Sequence, residues 1–159
     1  MEEADPNAAP VYDVIGAGYA RVRRSDPRIG RRLHRGLGHA STVLNVGAGT
    51  GSYEPTDRMV IALEPSAAMI RQRPPTAAPA LQGTADALPF ADGTFAGAMA
   101  VLTIHHWPDP MAGLAELRRV TKGPIVVFTF DHAVHDEQWL VTDYLTSMPT
   151  STSNTRPHR

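Results

Sequence analysis

Three glycines at alternate positions, Gly47, Gly49 and Gly51, follow the short apolar run Val43-Leu44-Asn45-Val46. Such a run reads as a strand ending in a turn without Cβ atoms, whose backbone can approach a ligand closely. A helix after the turn would add free N–H groups for polar or anionic ligand atoms. In sheets of alternating strands and helices, ligands bind outside the carboxyl ends of the strands. The loop therefore reads as a seat for a nucleoside-type ligand, with an empty glycine turn as the competing reading. Glu64 supports the ligand. It stands 17 positions after Gly47, where a second apolar run, Met59 to Leu63, ends. A carboxylate there can accept hydrogen bonds from both hydroxyls of a ribose. The competing reading of Glu64 is an exposed turn residue.

His105 and His106 follow a third apolar run, Gly97 to Thr103. A neutral imidazole there could take a proton from a phenol or enol, and His106 is the candidate catalytic base. The alternative is that both rings orient the loop beside Trp107. Asp131, His132, His135 and Asp136 read as a hydrophilic loop rather than a metal cluster, so no metal site is expected. The absence of cysteine excludes disulfides, thiolate catalysis and thiolate-bound zinc.

The chain has 159 residues, enough for one domain, and a formal charge of -1. That balance argues against a nucleic-acid partner, whose binding a large basic footprint would dominate. The arginines between Arg21 and Arg35 read as a solvated helix face. The N-terminus is acidic and carries no apolar signal region. The longest apolar stretch, Gly97 to Ile104, is far short of the ~20 residues that span a bilayer. A cytoplasmic chain with no membrane partner is the expectation.

The elements that must position these residues alternate. Residues 1–10 read as a disordered lead-in, and apolar residues from Tyr12 to Val22 predict a helix. A second helix starts at Asp26-Pro27, turns Ile29, Leu33 and Leu37 to one face, and stops at Gly38. Strands follow at Val43–Val46, Met59–Leu63, Ala80–Gln82, Gly97–Thr103 and Ile125–Phe130. Ser66 caps a short helix that Pro74-Pro75 ends. Asp109-Pro110 opens a helix with Met111, Leu114, Leu117 and Val120 toward the core, and a last helix spans Asp136 to Leu145. Residues 148–159 read as a disordered tail. The pattern predicts an α/β domain over residues 11–147, with a mainly parallel sheet between helix layers.

Gly47, Gly49 and Gly51 miss the G-x-G-x-x-G dinucleotide spacing, whose third glycine would fall at Ser52. That disfavours a nicotinamide oxidoreductase. The spacing instead resembles the G-x-G-x-G loop of class I methyltransferases. Val43–Glu54, Ala62–Ile70, Gly83–Phe90, Phe95–Asp109 and Leu114–Phe128 together resemble the family that includes ubiquinone and menaquinone biosynthesis C-methyltransferases. The resemblance implies a three-layer Rossmann-like fold with sheet order 3-2-1-4-5 and S-adenosylmethionine as cofactor. It places Gly47, Ala48, Gly49, Thr50 and Gly51 against the methionine and ribose. Glu64 would hold the ribose hydroxyls, with Pro65 beside the adenine. Thr84, Ala85 and Asp86 would lie in the adenine-side loop, Leu102 and Thr103 near the sulfonium, and Tyr19 in a lid. The family often has Asp where Asn45 and Thr84 stand, so two orienting carboxylates are missing, with Asp86 a substitute for the second. The His-His-Trp stretch occurs in the family across different substrates, which favours an orienting role for the histidines.

Methyl transfer from a sulfonium needs no protein nucleophile, and a base only when the acceptor must lose a proton. Thr103-Ile104-His105-His106 lacks the Asn/Asp-Pro-Pro-aromatic motif of amino-methylating nucleic-acid enzymes. A small-molecule acceptor is the expectation, with O-, N- and C-methylation all open. Family members usually continue into two further strands, which this sequence does not show. Strand five would then be an exposed edge, covered by the last helix or by a second copy in a homo-oligomer, unless the chain is a truncated form. The alternative function is a catalytically incomplete S-adenosylmethionine-binding domain, a remnant or a partner subunit.

Overall fold

A computed structural model describes residues 25–130 of the chain. The helices expected at Tyr12–Val22 and Asp136–Leu145, the lead-in, the tail, Tyr19 and the 131–136 polar cluster lie outside the described residues. Helix α1 spans Pro27–Leu37. Asp26 caps it by accepting the Arg28 N–H at 2.8 Å, Pro27 sits in the first turn, and Gly38 ends it at φ 55°. Leu33 and Leu37 are buried, whereas Arg28, Arg31, Arg32 and Arg35 point to solvent.

Five strands follow, β1 at Thr42–Val46, β2 at Met59–Glu64, β3 at Ala80–Gln82, β4 at Gly97–Val101 and β5 at Ile125–Phe128. They form one parallel sheet in the order β3-β2-β1-β4-β5. Helix α2, Ala67–Arg71, lies between β2 and β3, and α3, Pro110–Val120, lies between β4 and β5. The order places β1, with its glycine loop, between β2 and β4, where the connections change direction. That is the switch point at which ligands of such sheets bind.

Side chains alternate across the sheet with a period of two. Leu44, Val46, Leu63, Ala98 and Ala100 join Phe95, Leu117 and Val120 in one cluster. Val43, Val60 and Met99 join Leu37 and Ala40 in the other. A fully buried leucine such as Leu37 or Leu117 contributes roughly 2–3 kcal/mol by leaving water. These two layers hold the strand ends in register.

Four expectations are corrected. Strand four ends at Val101 rather than Thr103, because Leu102 adopts φ 53° and leaves the extended region. Strand five ends at Phe128 rather than Phe130, since Phe128 pairs with Val101 and no ladder continues. On α3 the buried positions are Gly113, Leu117 and Val120, while Met111 is 74% exposed. The Trp107 ring lies against Gly113 and sets that rotation. Finally, no helix follows the glycine loop: residues 47–58 cross from β1 to β2 as turns. Parallel neighbours are usually joined through a helix, but Pro55 disfavours the α conformation at Glu54. Tyr53 replaces part of the helix. Its ring packs on the Val43–Val60–Met99 cluster, its hydroxyl accepts the Asp26 N–H at 3.1 Å, and its carbonyl lies 2.8 Å from His34 Nε2.

Candidate cofactor site

The glycine loop is bound to the end of β2. The Leu63 carbonyl accepts the Gly47 and Ala48 N–H groups at 2.8 and 3.1 Å. One step further, Glu64 Oε2 accepts the Gly49 N–H at 2.7 Å, and Oε1 accepts the Ser66 N–H at 2.9 Å. Glu64 is 4% exposed, which removes the reading of an exposed turn residue. Ser66 in turn caps α2 by accepting the Met69 N–H at 3.2 Å. Thr50 is buried, and Pro65 is half-buried with its carbonyl accepting from Gln82 Nε2 at 3.1 Å.

Gly47 has φ 65°, and a Cβ there would run into the Thr103 side chain. Only glycine lets the end of β4 lie so close to the end of β1. Thr103 is buried and accepts a hydrogen bond from Trp107 Nε1 at 3.2 Å. Before it, Leu102 keeps a left-handed conformation that costs a non-glycine residue roughly 1–3 kcal/mol. Its N–H donates to the Phe128 carbonyl, which holds the strained residue in place. Strain of this kind collects at functional sites.

The 83–90 segment hangs between β2 and α3. Gly83 N–H reaches the Glu64 carbonyl at 3.3 Å. At the other end Glu116 Oε2 accepts the Leu88 N–H at 2.9 Å, and Arg119 donates to the Leu88 and Phe90 carbonyls at 3.0 and 2.8 Å. Hydrogen bonds from Arg119, and then from Leu88, bring the Glu116 pKa down to about 2. Within the segment Ala85 is buried beside Trp107 and Gly113, whereas Thr84 and Asp86 are exposed.

His105 and His106 lie in a single 3₁₀ turn, Ile104–His106, directly after Thr103. Their rings are 4.0 Å apart between centroids. Both residues are largely exposed, yet partial desolvation still pushes the His106 pKa down, which favours its neutral imidazole. Among the described residues no three His, Asp or Glu side chains gather as a metal site.

Two residues absent from the sequence reading are tied to the loop. Glu54 and Arg73 form an ion pair at 2.7 Å with both side chains 6% exposed. Asn45 Nδ2 donates to Glu54 Oε1 at 3.0 Å, and Arg73 Nη1 donates to the Gly49 carbonyl at 3.0 Å. A charged pair separated by 19 positions leaves no periodic mark in sequence. The one local signal was Pro55, which argues against a helix over this stretch. A groove of about 570 Å³ lies beside the pair, lined in part by Pro55, Met59, Ile61 and Pro79. Gly51 lines it, so the groove adjoins the far end of the glycine loop, whereas Glu64, Leu102 and Thr103 do not line it.

A glycine loop at a switch point, an acid at the end of β2 and a strained turn after β4 meet at the carboxyl ends of the strands of a Rossmann-like sheet. The chain belongs to the methyltransferase-domain family, which matches residues 44–126. Among curated proteins it is similar to the demethylmenaquinone methyltransferase of Renibacterium salmoninarum, 36% identical over 79% of this chain and 56% of the relative. The protein of the same name from Paenarthrobacter aurescens is 30% identical, over 84% of this chain and 54% of the relative. The chain therefore spans little more than half the length of these relatives. Among solved structures, an S-adenosylmethionine-dependent methyltransferase of Thermotoga maritima superposes with TM-score 0.61 at 26% identity, over 85% of this chain and 66% of that one. A protein assigned as a methyltransferase of an antibiotic biosynthesis pathway in Anabaena variabilis gives TM-score 0.62 at 28% identity, over 78% of this chain and 56% of that one.

Proposed function

We propose that the chain binds S-adenosylmethionine at the carboxyl ends of β1, β2 and β4 and transfers its methyl group to a small-molecule acceptor. One observation carries the reading. The buried Glu64 carboxylate lies at the end of β2, hydrogen-bonded to Gly49 of the glycine loop, so acid and loop form one surface. A ribose there finds a hydrogen-bond acceptor, and the glycines leave the backbone open to the rest of the ligand. The cofactor, when bound, supplies a methyl group on an already activated sulfonium. The residues therefore need mainly to orient and to exclude water, and holding two reactants in attack geometry supplies up to about 7–11 kcal/mol in good cases.

Thr103, buried over Gly47 and held by Trp107, is the fixed wall of the site. Leu102 is half-buried beside it and Ala85 is buried next to Trp107, while Thr84 and Asp86 reach solvent where a polar adenine edge would lie. His106, whose desolvation favours the neutral imidazole, is the candidate to receive a proton from an acidic acceptor. The curated relatives are named for demethylmenaquinone, which makes an aromatic quinol the acceptor class to screen first.

A second reading is a cofactor-binding domain without turnover. One observation favours it: among the described residues β5 is an edge of the sheet with Val127 exposed. A second copy of the chain on that edge is the proposed protein partner. Among the described residues no helix is long and apolar enough to cross a membrane. Calorimetric titration with S-adenosylmethionine and S-adenosylhomocysteine tests the cofactor, and a methyl-transfer screen over phenols, quinols and amines separates the two readings. Micromolar binding with turnover supports the enzyme. Binding without turnover supports the second reading, and a folded chain that binds neither ligand overturns both.

A further inference from the structure

The loss of the helix after the glycine loop removes the element that would otherwise brace the loop. Side chains take its place. The Gly49 residue is held on both sides, its N–H by Glu64 Oε2 at 2.7 Å and its C=O by Arg73 Nη1 at 3.0 Å. Gly49 has φ 52°, and with no Cβ it has a wide range of conformations to lose on binding. Arg73 reaches it from beyond the end of α2 and is itself fixed. Its Nη2 contacts both oxygens of Glu54, at 2.7 and 2.8 Å, and the Ala78 carbonyl at 2.9 Å. Glu54 also accepts the Ala78 N–H at 3.0 Å and the Asn45 amide at 3.0 Å.

From this geometry we infer that Arg73, held by Glu54, to which Asn45 donates, is the positioning residue that presets the Gly49 backbone for the cofactor. The proposal rests on the cofactor reading above. It also accounts for asparagine at position 45. The Asn45 side chain is buried and donates to a carboxylate already paired with Arg73. An aspartate there would set a second carboxylate about 3 Å from the first, a like-charge contact that disfavours ionisation of both. The amide at 45 and the carboxylate at 54 are thus a matched pair. Guanidinium suits position 73 because two nitrogens of one rigid fork reach Gly49 and Glu54 separately, whereas lysine has a single nitrogen to share between them.

The test uses the whole chain and two readouts, S-adenosylhomocysteine affinity by calorimetry and amide hydrogen exchange at Gly49 by NMR. Arg73→Lys is expected to weaken binding about tenfold, the size of one charge-assisted hydrogen bond. It should speed Gly49 exchange by a similar factor while β4 amides stay protected. A role in stability alone would leave the affinity of the folded protein unchanged. Binding within twofold of wild type together with unchanged Gly49 exchange overturns the proposal. Should Arg73→Lys fail to fold, Asn45→Asp and Asn45→Ala decide. The aspartate, which sets a second carboxylate against Glu54, is expected to weaken binding and speed Gly49 exchange more than the alanine, which only deletes the amide. An aspartate no worse than the alanine in both readouts overturns the matched pair. If wild type binds neither ligand, the cofactor reading fails, and the exchange arm judges the clamp by itself: faster exchange in Arg73→Lys supports it and unchanged exchange overturns it.

Discussion

Glu64→Gln replaces one carboxylate oxygen with an NH₂ group and should separate the site from the scaffold. In the folded chain both carboxylate oxygens accept main-chain N–H groups, from Gly49 at 2.7 Å and Ser66 at 2.9 Å. Glutamine keeps one acceptor oxygen and turns an NH₂ group toward the other amide, leaving that buried donor unsatisfied. An unsatisfied buried donor costs about 1–3 kcal/mol. A loss of roughly 2 kcal/mol lowers Tm by roughly 4–8 °C in a domain of this size. The cofactor should lose more. Hydrogen bonds from a ribose to a carboxylate are charge-assisted and worth about 1.5–3 kcal/mol each. Losing the charge from two such bonds, with part of each retained by the amide, weakens binding by about 3 kcal/mol, or on the order of 100-fold in Kd. Calorimetry at a temperature well below the variant's Tm reads affinity free of unfolding. A variant that melts several degrees lower but binds S-adenosylhomocysteine within threefold of wild type would refute the assignment. Glu64 would then be a brace between the glycine loop and α2.

Gly47→Ala should abolish cofactor binding and destabilise the chain by about 2 kcal/mol or more, from the left-handed φ and the collision with Thr103; a melt within 2 °C of wild type would contradict the packing of β1 against β4. Acid should also act through Glu116. Its folded pKa is about 2 against an ordinary value of 4.5, so the stability it contributes is complete above about pH 4.5 and is lost as pH falls toward 2. Glu116→Gln should flatten the stability–pH curve in that window, and an unchanged curve would remove the Glu116–Arg119 pair from acid denaturation. His106→Asn should leave S-adenosylhomocysteine affinity within twofold while lowering turnover of a phenolic or enolic acceptor on the order of 10²-fold, the lower range for a lost general base. Equal turnover would return His106 to an orienting role beside Trp107.

Much of the frame was written locally. Asp26-Pro27 with Gly38, Ser66, and Asp109-Pro110 mark helix ends by hydrogen bonds within three residues or by fixed backbone angles, so they could be read directly. The five apolar runs are the five strands, and their alternation with helices dictates a parallel sheet. The resemblance, more than periodicity, supplied the strand order. Glu64 and the glycines could be singled out because their chemistry is tied to strand ends.

Tertiary structure decided what depends on contacts distant in sequence. Met111 has helical spacing to Leu114 and yet faces solvent, because Trp107 occupies the groove at Gly113 and turns α3. Leu102 leaves the extended region one residue after β4, which an apolar run cannot announce. Pro55 could have warned that no helix follows the glycines, but not what replaces one. The replacement is Arg73 lying between Glu54 and the Gly49 carbonyl, brought there from 19 and 24 positions away. Buried charge is tolerated only where an opposite charge and further hydrogen bonds meet it. That condition is met through the folded chain, so it belongs to the three-dimensional arrangement and not to any segment of the sequence.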